Sequence, residues 1–170
     1  DQTITSDYHA LDTALAGIDS SKPVFVVCHY PLHHIAGRTT TNAHDFINVL
    51  NKYPNAIYLW GHNHSQDDDN YGTVKDAGDT IVCASGEAPV TICFTYANMG
   101  SIYDDMGNNY GAYGLLMEMT RDVNETTINF VYKDLAGVTT SSHTVTIAPP
   151  GPIEEVAVTG ITGPVTGGTP

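Results

Sequence analysis

The sequence predicts a mixed α/β domain of the α+β kind, with a βαβ unit followed by an antiparallel β-meander, and three observations predict it. Two apolar runs, PVFVVCHYP and NAIYLW, bracket an amphipathic stretch at residues 42 to 52. After residue 70 the texture changes to short β-rich runs separated by turn-prone stretches such as DAGD and MGNNYG. At 170 residues the chain is long enough for one domain with a sizeable core and too short for two ordinary ones.

The elements follow in order. Thr5 or Ser6 is expected to cap a first helix in which Tyr8, Leu11, Leu15 and Ile18 fall at helical spacing, before Gly17 and the stretch from Ser20 to Pro23 break it. PVFVVCHYP reads as a buried strand stopped by Pro31. NAHDFINVLNK reads as a second helix with Phe46, Ile47, Val49 and Leu50 on its apolar face, and NAIYLW as a second buried strand. Strand, helix, strand with short links is the signature of a parallel crossover, whose ligands gather at the strands' carboxyl ends. The runs DTIVCAS, VTICFTYA, YGLLMEMT, TINFVYKD and SHTVTIA then predict the meander. Residues 1–148 form the expected domain, and 149–170, opening PPGP and rich in Gly, Pro and Thr, a linker or the first strand of something further.

Composition narrows the function. Six Lys and Arg against nineteen Asp and Glu give a net charge of -13, which repels nucleic acid and anionic lipid from the bare surface. An anionic substrate would need something other than Lys and Arg to attract it, and a bound cation would do so. No run of eighteen apolar residues predicts a membrane span. The chain begins with Asp1 and not Met, and we expect it to have been processed or excised. Cys28, Cys83 and Cys93 are separated by 54 and 9 residues, which fits no zinc or redox spacing, and each sits in an apolar run, as buried free thiols do.

Chemistry concentrates in three histidines. His29 ends the first apolar run, and His62 and His64 follow the second in the stretch WGHNH. Adjacent parallel strands end side by side, so imidazoles 33 residues apart in sequence can converge, and convergent neutral imidazoles suit divalent transition metals. In a turn, two histidines two apart can diverge toward two ions. Polar loop residues are the competing reading of the spacing.

PVFVVCHYPLH followed by IYLWGHNH resembles the C-terminal half of calcineurin-like metallophosphoesterases, dinuclear metal hydrolases of phosphate mono- and diesters. His29, Tyr30 and Pro31 fit that family's strand-ending His motif, and Gly61, His62, Asn63 and His64 its Gly-His-x-His turn. The resemblance implies that His29 and His62 ligate one metal and His64 the other. It implies two divalent ions, Mn, Fe or Zn, and a phosphate-ester substrate. Its fold would be a four-layer α/β/β/α sandwich of two sheets packed face to face with helices outside, of which this chain supplies the later half.

Three earlier elements of the family have no counterpart. Asp7-Tyr8-His9 spells an Asp-x-His, yet it heads a helix with no strand before it, and nineteen residues separate His9 from His29. Gly78-Asp79-Thr80-Ile81-Val82 has Val where a bridging Asp belongs, and Gly107-Asn108-Asn109 has Asn where a catalytic His belongs. Two ions held roughly 3.5 to 4 Å apart need a bridging ligand and compensating negative charge, and three imidazoles supply neither. The chain alone is therefore expected to be inactive. Its missing partner would be the N-terminal half of the domain, and the uncovered sheet edge is expected to invite homo-oligomers.

Other polar groups are read more plainly. His33 and His34 are expected in a solvated loop, with a place beside the substrate as the alternative, and His44 and His143 at the surface. The acidic run QDDDN at 66 to 70 lacks the intervals and glycine turn of a calcium loop. Glu87, ending a predicted strand in SGEAP, is left outside the site, and the tyrosines after residue 70 are read as edge-of-core residues. The tail IEEVAVTGITGPVTGGTP resembles the entry into bacterial immunoglobulin-like repeats. It motivates a secreted or cell-surface location, and a second hypothesis in which the chain is a non-catalytic binding or spacer module of a bacterial surface protein.

Overall fold

The structure is a computed structural model that describes residues 1–35, 37–62, 72–101, 113–123 and 125–148. It is an α+β fold with helices α1 (Tyr8–Ala16) and α2 (Ala43–Leu50). The strands are β1 (Val24–Cys28), β2 (Ala56–Trp60), β3 (Val74–Lys75), β4 (Thr80–Ile81), β5 (Val90–Thr91), β6 (Thr95–Asn98), β7 (Gly100–Ser101), β8 (Tyr113–Arg121), β9 (Thr126–Asp134) and β10 (Thr139–Ile147). The tail from 149 onward lies outside the described residues.

One sheet has the order β1-β2-β6-β3, with β1, β2 and β6 parallel, and a second has the order β10-β9-β8-β7. The predicted βαβ unit is present: α2 connects β1 to β2, and the two strands pair in register from Val24 with Ala56 to Cys28 with Trp60. The predicted meander holds for β8, β9 and β10, which are antiparallel. It fails earlier in the chain. VTICFTYA splits into β5, paired with β4 in a separate ribbon, and β6, which slots in parallel beside β2. All four residues of β6 are buried, so the strand gains from neighbours on both edges and both faces, a choice that its own alternation cannot reveal.

The first sheet is sandwiched. On one face Tyr58, Trp60 and Tyr96 pack with Phe46, Ile47 and Leu50 of α2 and with Leu15 of α1. On the other, Ile57, Leu59 and Ala97 meet Ile128, Phe130 and Ile147 of the second sheet. Side chains alternate along a strand, so β2, covered on both faces, is buried at all five positions. The expectation of a buried β1 is corrected here. It is an edge strand whose Phe25 and Val27 remain 40% and 65% exposed, because the second sheet does not extend over them among the described residues.

The first helix also departs from expectation. Asp7, and not Thr5 or Ser6, is the cap: its extended backbone leads into the helix and its carboxylate accepts from His9 N at 2.8 Å. Gly17 ends the helix, which leaves Ile18 outside it and exposed. Asn42, at the head of α2, turns its amide away from the helix and bonds Ile4 N and O at 3.0 and 2.8 Å, tying the N-terminal segment to the crossover.

Candidate metal centre

His29 and His62 sit one residue beyond β1 and two beyond β2, at the carboxyl ends of neighbouring parallel strands. Gly61 N donates to His29 O at 3.2 Å, extending the ladder by one rung. His62 then takes φ 70, the left-handed region that a non-glycine residue enters at a cost of about 1–2 kcal/mol. The turn brings its imidazole back onto His29, with His62 Nδ1 3.0 Å from His29 Nε2 and the rings edge to face at 5.0 Å. Tyr30 closes the group, its ring 5.3 Å from His29 and 5.1 Å from His62.

That spacing suits a shared cation. Two imidazole nitrogens on one ion, each about 2.0–2.1 Å away and subtending a right angle to a tetrahedral one, stand about 2.9–3.4 Å apart. His29 Nε2 and His62 Nδ1, hydrogen-bonded at 3.0 Å, stand at a separation within that range. Among the described residues no group of three or more His, Cys, Asp or Glu is placed to hold a metal. His64, the third ligand expected from the sequence, lies outside the described residues, as do Asn63 and the acidic run at 66 to 70.

Arg38 is the group that sequence reading missed. It lies in the loop after β1, and its Nη1 donates to His62 Nε2 at 3.0 Å. One of only six Lys and Arg in a chain of net charge -13, placed a few residues past a candidate ligand, it carried a usable signal in its scarcity.

The remaining polar candidates are dispersed. His33 is not solvated: it is 2% exposed, edge-on to Trp60, with Nδ1 2.7 Å from the hydroxyl of Tyr96. The same Tyr96 Oη accepts from Leu32 N at 2.8 Å. His34 Nδ1 bonds Thr39 Oγ1 at 2.9 Å. His44 pairs with Glu87 at 3.0 Å and His143 with Asp76 at 2.6 Å. Tyr96 is core, stacked on Tyr58 and Trp60, while Tyr71, Tyr103 and Tyr110 lie outside the described residues. Asp7-Tyr8-His9 is a helix start, and Gly78-Asp79 a turn, with Gly78 at φ 100 and Asp79 N donating to Asp76 O. Gly107-Asn108-Asn109 lies outside the described residues.

The cysteines are free thiols, of which Cys83 is buried and the other two partly so. Burial, and then the Glu87 charge, push the Cys83 thiol up to about 11. It is therefore protonated and inert near neutrality.

Comparison with protein-family models, with curated proteins and with solved structures finds no match. No helix among the described residues is long and apolar enough to cross a membrane.

Proposed function

We propose that the chain is the later half of a metal-dependent phosphoesterase domain of the calcineurin-like kind, and that His29, His62 and His64 are its share of a dinuclear metal centre. The observation that carries the reading is the convergence of His29 Nε2 and His62 Nδ1 at 3.0 Å from the ends of adjacent parallel strands. A divalent ion there, Mn, Fe or Zn, would supply Lewis-acid charge to a phosphate ester. The chain's own contribution is to fix two ligands on strand ends, where the sheet sets their separation, and to spend backbone strain at His62 in doing so.

The packing supports the half-domain reading. Phe25 and Val27 share a face with Ile57 and Leu59, and Met117 and Met119 with Phe130 and Ile128, so all four exposed side chains belong to the inner faces of the sandwich. An apolar interior open along two strands is what a complementary N-terminal half would cover. A secreted or cell-surface parent is the corresponding proposal from the tail.

Elemental analysis after equilibration with Mn and Zn tests the reading. We expect at most one ion per chain, lost in His29→Ala and in His62→Ala, and no hydrolysis of a nitrophenyl phosphate ester. Two ions per chain, lost in the His62→Ala, His64→Ala variant, would mean that other residues complete the site and would overturn the half-domain reading. Ion binding indifferent to both His29 and His62 would overturn the metal centre and favour the non-catalytic module.

A further inference from the structure

The loop that carries Arg38 is tied down along its length. Leu32 N donates to Tyr96 Oη at 2.8 Å, His34 N to Val82 O at 2.7 Å, Thr40 Oγ1 to Pro31 O at 2.7 Å and Gln2 N to Thr39 O at 2.9 Å. Ile35 and Arg38 exchange two backbone bonds, at 3.0 and 2.7 Å, around Gly37 at φ 74. Arg38 is therefore set beside His62 by a braced turn.

A guanidinium has donors and no acceptor, so its 3.0 Å contact makes His62 Nε2 the acceptor. His62 then carries its hydrogen on Nδ1 and donates it to His29 Nε2. An ion held through Nδ1 requires the other tautomer, with the hydrogen on Nε2. That N–H would face the Arg38 N–H, and two donors oppose each other. Arg38 on Nε2 and an ion on Nδ1 are therefore alternatives.

Arg38 also fits a second task. It is exposed, and the ion pairs seen among the described residues give it no carboxylate, as they give none to Lys75, Arg121 and Lys133, while Lys22 and Lys52 each have an Asp; of these cations it is the one that bonds a candidate ligand. A substrate phosphate approaching His62 on a chain of net charge -13 meets in Arg38 a cation bonded to that imidazole. The planar guanidinium fork matches two phosphoryl oxygens at once. Building on the phosphoesterase reading, we propose that Arg38 is the anion-recognition residue of this site, parked on His62 Nε2 and exchanged onto the non-bridging oxygens of the phosphate ester when His62 Nδ1 takes an ion.

The test is calorimetric titration of the 170-residue chain, first with Zn alone and then with inorganic phosphate on the Zn-loaded protein. Arg38→Ala, Arg38→Gln and His29→Ala are run beside it, with circular dichroism to confirm folding. Removing the competing hydrogen bond should tighten Zn binding about threefold or more in both Arg38 variants, and losing the charged fork should weaken phosphate about tenfold. Long-range proton–nitrogen NMR of the Zn-free chain should show His62 with its hydrogen on Nδ1, and a shift toward the Nε2–H form in Arg38→Gln. Weaker Zn binding in the Arg38 variants would make Arg38 a support for His62 and overturn the exchange. Unchanged phosphate affinity would overturn anion recognition. Zn binding that survives His29→Ala undiminished is a distinct result, which removes the metal centre and this proposal with it.

Discussion

The two faces of the first sheet make an instructive pair. Toward the helices, sixteen buried residues among those described form a cluster around Trp60, Tyr58 and Tyr96. Toward the second sheet, the cluster of described residues holds six, and at its margin Phe25, Val27, Met117 and Met119 stand exposed. Both faces are built from the same strands, and VFVVC is as apolar as AIYLW. Burial is thus decided by what covers a strand and not by the strand's own hydrophobicity. Among the described residues one face is covered throughout and the other keeps an exposed margin.

The contrast can be broken most strongly in the larger cluster. Leu50→Ala should cost about 2–5 kcal/mol in urea unfolding, the usual range for emptying a packed site. Val27→Ala, on the exposed margin, should stay within about 0.5 kcal/mol, as for surface positions. Equal costs would show that the inner face is covered in solution. Val27→Lys sharpens the same point at the level of association, since a charge on an edge strand blocks edge pairing. Sedimentation velocity should show oligomers of the unaltered chain converting to monomer in this variant; a monomer throughout would show that the exposed margin is not sticky.

A smaller effect is expected at the helical layer's own devices. Asp7→Ala should cost about 1 kcal/mol by removing the cap on His9 N, while Ser6→Ala should cost little. The subtlest effect concerns the pin between the helices. Lys52 Nζ and Tyr53 Oη donate to the Asp12 carboxylate at 2.8 and 2.6 Å, and these bonds hold Asp12 below its ordinary 3.8. A carboxyl depressed by folding adds stability that is complete above the ordinary value and fades as pH falls below it. Acid titration of stability should therefore show a shallower loss below about pH 4 in Asp12→Asn than in the unaltered chain.

Much of this was legible in sequence because the signals are local. A five-residue apolar run bounded by turn residues gives β2 wherever it lies, and the spacing of Phe46, Ile47, Val49 and Leu50 gives α2. The same reading put His29 and His62 at strand ends, and the structure brings their nitrogens together. The errors came where several local solutions were equivalent. Thr5, Ser6 and Asp7 are all good caps, and only where α1 begins picks Asp7.

The sequence by itself determined the order of elements, the position of the two histidines after their strands and the sparse positive charge, all set by residues near one another in the chain. Tertiary structure alone decided the parallel insertion of β6, the burial of His33 against Trp60 and Tyr96, the exposure of Phe25 and Val27, and the placing of Arg38 on His62. Each of these depends on which distant segments meet. Short-range periodicity fixes the face a side chain takes, and long-range packing fixes what that face encounters.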